Sequence, residues 1–174
     1  MKYSFLLFII VMSATQFLCL TKSRAQSTVN SEVFAEVITV ITARQTAQLN
    51  FGKFTPATQG GQVLITPEGS RMSTGTVILS QGSHHAAGFL ISGEEQSTFS
   101  ITLPTGPSTI TNVSNSKTMI VDGWVSIPAQ GIGQGILEGG VQEIKVGATL
   151  SVGSMEDNPV GIYSGTYQIK FDYN

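Results

Sequence analysis

Cysteine is nearly absent from this chain of 174 residues: Cys19 is the only one. No disulfide can form within the chain, and past residue 19 there is no thiolate nucleophile. Charge is also scarce, with 11% of residues ionic, and nine Lys and Arg stand against eleven Asp and Glu. No basic face for a phosphate backbone can be built from so few cations, which excludes nucleic acid as the expected partner. Only two histidines occur, and no stretch of ten or more residues carries helical periodicity. With 41% hydrophobic residues, the chain has too much apolar side chain for intrinsic disorder.

What is present begins with a leader. Lys2 provides a short positive region, and Phe5 to Leu20 is almost purely apolar. Ser23-Arg24-Ala25 then places small residues at the −3 and −1 positions of a cleavage site. Residues 1–25 read as a secretory signal peptide. The competing reading is a retained single-pass anchor, since the run approaches spanning length. Cys19 is not a lipoprotein site, because Phe17 and Leu18 stand where small residues are required. Past the leader, residues 26–174 hold six basic and eleven acidic residues, a net charge of −5, and no cysteine. A chain of about 150 residues buries about 68–70% of its surface, so one domain without disulfides is expected, with residues 26–32 as an exposed N-terminal arm. No transmembrane segment is expected in that exported form, and a transmembrane barrel lacks its aromatic girdles here.

Apolar residues recur with period two. Ile144, Val146, Ala148, Leu150 and Val152 share one face, and so do Phe99, Ile101 and Leu103. Such alternation specifies strands with one dry and one wet side. Strands are expected at 33–42, 49–54, 62–66, 76–80, 86–91, 98–103, 108–112, 119–127, 141–152 and 167–173. Gln59-Gly60-Gly61, Pro67-Glu68-Gly69, Pro104-Thr105-Gly106-Pro107, Glu138-Gly139-Gly140 and Asn158-Pro159 separate them as turns. Short strands at intervals of about ten residues predict an all-β sandwich or barrel.

Catalytic motifs are missing. His84 and His85 are adjacent, so a strand would point them to opposite faces, away from any shared metal. Gly131-Ile132-Gly133-Gln134-Gly135 lacks the lysine and the strand–turn–helix setting of a phosphate loop, and reads as a flexible loop. Glu156-Asp157-Asn158 offers too few oxygen ligands for a calcium site, and Glu94-Glu95 reads as a polar turn. Asn112-Val113-Ser114 fits the N-glycosylation pattern. Trp124, the single tryptophan, could stack on a sugar, but its neighbours Val121, Val125 and Ile127 favour a core role. No catalytic residue, cofactor site or metal site is assigned, and no enzymatic activity is expected.

The end of the chain is the sharpest feature. Tyr167, Ile169, Phe171 and the penultimate Tyr173 line one face, after Gly161 at the fourteenth position from the end. At a sheet edge such a strand can pair with a partner's strand. These residues resemble the C-terminal motif of chaperone–usher pilus subunits. In that family the strand zippers onto a periplasmic chaperone, and the immunoglobulin-like sandwich lacks a strand that the next subunit's N-terminal arm supplies. Residues 27–40 carry Val29, Val33, Ala35 and Val37 in alternation, which fits a donor strand and equally an ordinary first strand.

A second resemblance spans nearly the whole exported part. Leu49-Asn50-Phe51-Gly52, Thr66-Pro67-Glu68-Gly69-Ser70-Arg71, Ala86 to Gly93, Phe99 to Pro104, Val146 to Leu150 and Gly161 to Tyr167 occur in order. They are similar to a secreted bacterial family catalogued as a domain of unknown function, itself similar to pilins of the spore coat protein U type. Those pilins carry a disulfide near the first strand, about where Arg44 and Gln45 stand here. The resemblance implies a pilin-like, immunoglobulin-like β-sandwich in the periplasm, at the cell surface or outside the cell. Its implied partners are other copies of the chain, related subunits or a periplasmic chaperone. The expected role is structural or adhesive, with assembly by β-strand addition. The alternative is a monomeric extracellular sandwich whose loops bind carbohydrate or protein.

Overall fold

The computed structural model describes Tyr3 and residues 26–174. Apart from Tyr3, the expected leader therefore lies outside the described residues. Residues 26–174 contain thirteen β-strands and no α-helix, so the all-β expectation holds. The strands are β1 (Thr42–Ala47), β2 (Phe54–Thr55), β3 (Gly61–Ile65), β4 (Arg71–Gly75), β5 (Ile78–Leu79), β6 (Ala87–Ser92) and β7 (Thr98–Thr102). They continue with β8 (Ser108–Asn112), β9 (Thr118–Ile127), β10 (Gly131–Ile136), β11 (Val141–Val152), β12 (Tyr163–Ser164) and β13 (Lys170–Tyr173). Among the described residues no helix is long and apolar enough to cross a membrane.

The chain divides into two units, one ending at Glu36 and the other running from Val37 to Asn174. In the first, residues 26–36 are exposed and belong to no strand. In the second, all pairings are antiparallel. The large sheet runs β1-β6-β11-β9-β8-β12, with β3 joined to the far half of β11 and β4 to β3. A second sheet is β10-β7-β13, and β2 pairs with β5. β11 organises the large sheet because it is long enough to serve three neighbours. Residues 141–146 pair with β6, residues 148–152 with β3, and residues 145–151 with β9 on the opposite side.

The expected alternation sets the core. Ile144, Val146, Ala148, Leu150 and Val152 of β11 are buried together with Phe99 and Ile101 of β7 and Val63 and Ile65 of β3. One core thus receives side chains from both sheets. Phe171 joins them from β13, its ring 6.2 Å from that of Phe99 and edge-on to it.

Several expectations need correction. The strand expected at 33–42 does not form, and residues 26–41 belong to no strand; the first strand is β1. Valines at alternate positions give a chain strand propensity, but a strand also needs a partner edge. The glycine-rich segment 131–135, read as a flexible loop, is part of β10 and pairs with β7. Glycine is required at Gly135 because the Phe99 ring occupies the space a Cβ would take. β4 was not foreseen, since Arg71-Met72-Ser73-Thr74-Gly75 has no apolar alternation.

The core role expected for Trp124 holds, and a bulge in β9 brings it about. Simple alternation from Met119 and Val121 puts residue 125 inside and Trp124 outside. Instead Val125 and Ile127 are exposed and Trp124 is buried. Gly147 faces Val125 and Thr149 faces Asp122, so β9 carries one extra residue at this point. Gly123 absorbs it with φ of +61°, a left-handed conformation that glycine adopts at no steric cost. This bulge turns the tryptophan into the core.

Candidate functional site: an open groove between two strand edges

β1 has a partner, β6, on one side only. Its residues Thr42-Ala43-Arg44-Gln45-Thr46 are all exposed, so neither face is covered. Opposite it, the C-terminal segment divides its allegiance. β12 pairs with β8 of the large sheet, β13 pairs with β7 of the smaller one, and residues 165–169 between them belong to no strand. The strand expected over 167–173 is thus paired only from Lys170 onward.

Between these banks runs a groove of about 1470 Å³. Ala43 and Gln45 line it from β1, and Tyr167, Ile169 and Phe171 line it from the opposite bank. Phe89, Ile110, Val121 and Leu150 contribute the apolar floor. Tyr167, Ile169 and Phe171 pack on the core but stay only half-buried, because nothing covers the groove side; Tyr173, outside the groove lining, is half-buried as well. Phe89 of the floor meets Phe171 of the bank with ring centroids 6.0 Å apart. Burial pushes the Tyr167 phenol up to about 12. Its ring stacks on Trp124 at 4.6 Å, and neither the Tyr167 hydroxyl nor the Trp124 indole N–H has a hydrogen-bond partner.

Gly161 stands where a Cβ would strike the Asn112 side chain, so glycine permits this close approach. Asn112 is 2% exposed and its Oδ1 accepts from the Ser114 N–H. Burial beneath Gly161 leaves no room for a glycan on Asn112 Nδ2 in the folded chain, where this side chain serves as a turn cap. On the arm side, Val29, Val33, Ala35 and Val37 are exposed. The structure therefore brings Tyr167, Ile169 and Phe171 together along one bank and leaves the four arm residues outside any strand.

Two elements escaped sequence reading. The Arg71 guanidinium donates to the carbonyls of Phe51 at 3.1 Å, Lys53 at 3.3 Å and Ser80 at 2.7 Å. It thereby fixes the 51–53 loop that forms part of the groove wall. The second is a clasp at the groove's end. The Tyr173 hydroxyl accepts from the Glu94 N–H at 2.7 Å and donates to the Thr39 carbonyl at 2.8 Å. The Thr39 N–H in turn donates to Glu94 Oε2 at 2.9 Å. Glu94 is thus more than part of a polar turn. No local pattern could have revealed this, because its partners lie 55 and 79 positions away.

The Thr39 hydrogen bonds hold the Glu94 carboxyl below the usual carboxylate range. A lowered folded value means stabilisation that is present above the ordinary Glu range and is lost as pH falls through the lowered value. Glu94→Gln is therefore expected to lower the melting temperature at pH 7. As pH falls below the ordinary Glu range and the native carboxyl gains its proton, the difference from the unsubstituted chain should shrink. A gap that stays constant over that range in thermal unfolding would show that the carboxylate charge adds nothing to the clasp.

Other candidate chemistry is absorbed by the fold. The backbone of His85 bridges to Asn50, and His84 Nδ1 lies 3.3 Å from the Gly82 carbonyl oxygen. Asp157 accepts from the Ser154 hydroxyl at 2.7 Å, while Asn158 is buried and donates to the Thr118 carbonyl at 2.9 Å. Among the described residues no group of three His, Cys, Asp or Glu side chains gathers where a metal could bind.

Comparison with curated proteins found no match, and comparison with solved structures found none either. The family model described as "Domain of unknown function (DUF4402)" matches residues 41–173, which takes in every strand of the fold, and the chain belongs to that family.

Proposed function

We propose that this chain is a non-enzymatic, exported structural or adhesive subunit that works by β-strand addition. In this reading the two sheets form an immunoglobulin-like, pilin-like sandwich that lacks one strand. The groove between β1 and the C-terminal segment receives that strand from another copy or a related subunit. The observation that carries the proposal is the groove itself: the free edge of β1 and the C-terminal segment with its strandless residues 165–169 line it on either side of an apolar floor. Long open edges with apolar walls invite added strands, and soluble proteins ordinarily cover them.

The donor is the arm. Its odd-numbered face reads Ser27, Val29, Ser31, Val33, Ala35, Val37 and Thr39, without a charge, whereas Glu32 and Glu36 fall on the other face. An uncharged alternating face suits an apolar groove, and the charged face suits solvent. Before assembly a periplasmic chaperone would cover the same groove. Residues 1–25, read as a secretory leader, support a location in the periplasm, at the cell surface or outside the cell. A carbohydrate-binding version built on Trp124 has little support, because that side chain is buried and already stacked on Tyr167.

The test is the size distribution of the chain beginning at Gln26 on a gel run without boiling. Strand exchange yields a ladder that survives mild detergent. A single monomer band, together with monomeric mass by light scattering, overturns the proposal.

A further inference from the structure

An arm whose last donor valine, Val37, stands four residues short of β1 has an obvious wrong destination, which is the groove of its own chain. A hairpin needs only two to five turn residues. With a turn over residues 38–41, the arm could fold back along the free edge of β1 and seat Val33, Ala35 and Val37 in the gap. A self-filled subunit would be stable and unable to join any other.

The structure places an obstacle at that turn. Both backbone groups of Thr39 are committed, its N–H to Glu94 Oε2 and its carbonyl to the Tyr173 hydroxyl. The third bond, from the Glu94 N–H to the same hydroxyl, ties the two anchors together. Neither anchor is free to follow Thr39 into a turn. Tyr173 is held by its pairing with Phe99 in β7, and its ring packs directly over Gly93, where a Cβ would strike the phenol oxygen. Glu94 follows Gly93, whose N–H is bonded to the Gly140 carbonyl at 3.0 Å. A hairpin at residues 38–41 requires both Thr39 bonds to break, and one of them is charge-assisted.

We propose that the Thr39–Glu94–Tyr173 clasp prevents the arm from entering the groove of its own chain, so that only a second copy can fill it. The clasp acts by holding the root of the arm and touches none of Val29, Val33, Ala35 and Val37. This inference rests on the strand-exchange reading above, and its failure is distinguishable from the failure of that reading.

The experiment compares three forms of the chain beginning at Gln26: unsubstituted, Glu94→Ala/Tyr173→Phe and Glu94→Gln. Tyr173→Phe keeps the ring over Gly93, so β13 retains its packing. Each form is sized on a non-boiled gel and by light scattering, and its thermal melt is recorded at equal concentration. The double variant is expected to lose at least about tenfold of its ladder. It should become a monomer that melts above the same variant lacking residues 26–36. Glu94→Gln, whose amide oxygen can still accept from Thr39, should retain most of the ladder. If the unsubstituted chain and the double variant form equal ladders, the clasp inference fails and strand exchange stands. A double variant that is monomeric but melts no higher than its armless form also overturns it, since the groove is then empty. If the unsubstituted chain forms no ladder, strand exchange itself fails and the clasp loses its purpose.

Discussion

Removing residues 26–36 is expected to abolish the detergent-resistant ladder and leave a monomer that melts lower and aggregates. The effect should be large because the arm would contribute several valines to a groove that is otherwise wet. Covering one valine is worth about 1.5–3 kcal/mol. In a domain of this size each kcal/mol moves the melting temperature by about 2–4 °C. Losing Val29, Val33 and the pairing along both banks should therefore cost about 10 °C or more. The lost stability should return when a synthetic peptide of residues 27–39 is added, since a ligand that binds only the folded chain stabilises it by mass action. The same peptide with Val33→Asp should have no effect, because a lone carboxylate cannot enter the groove without its water. A truncated chain that stays monomeric with an unchanged melting temperature would end the strand-exchange reading. It would favour a complete monomeric sandwich that binds through its loops.

Phe99→Ala is expected to destabilise the fold by about 3–5 kcal/mol, the range for deleting a buried aromatic ring. Phe99 is fully buried at the centre of β7, between β10 and β13. Gly135 of β10 lies against its ring, and Phe171 of β13 meets it edge-on. Removing the ring strips both neighbours of contact at once, and glycine has no side chain with which to fill the void. The reverse change, Gly135→Ala, pushes a methyl into the ring and should cost about 1–3 kcal/mol. Both values are best read by denaturant unfolding of the chain lacking residues 26–36, dilute enough that it does not aggregate and with no arm to exchange. A loss below about 1 kcal/mol for Phe99→Ala would mean that the smaller sheet is not anchored through this residue.

These two effects differ in how far the sequence foretold them. The dry face of Phe99, Ile101 and Leu103 follows from period-two spacing alone, and the same holds for Ile144 through Val152. The arm was ambiguous, because Val29, Val33, Ala35 and Val37 satisfy the alternation of a strand whether or not a partner edge is within reach. The C-terminal face was legible as apolar, but the division of its pairing between β8 and β7 was not. That division leaves residues 165–169 unpaired and opens the groove.

Composition and local periodicity by themselves determined an all-β chain without disulfides or a basic face, and they marked which residues of most strands point inward. Both depend on neighbours one to four positions apart, which the sequence displays directly. The tertiary structure decided the rest. It placed the glycine-rich segment 131–135 in a sheet because Phe99 fills the space beside Gly135. It turned Trp124 inward through one extra residue at Gly123. It brought Tyr173 to Thr39 across 134 positions, and β1 opposite the C-terminal segment with a gap between them. Such meetings depend on the register of strands far apart in the chain, set by the shared packing of the core and carried by no local run of residues.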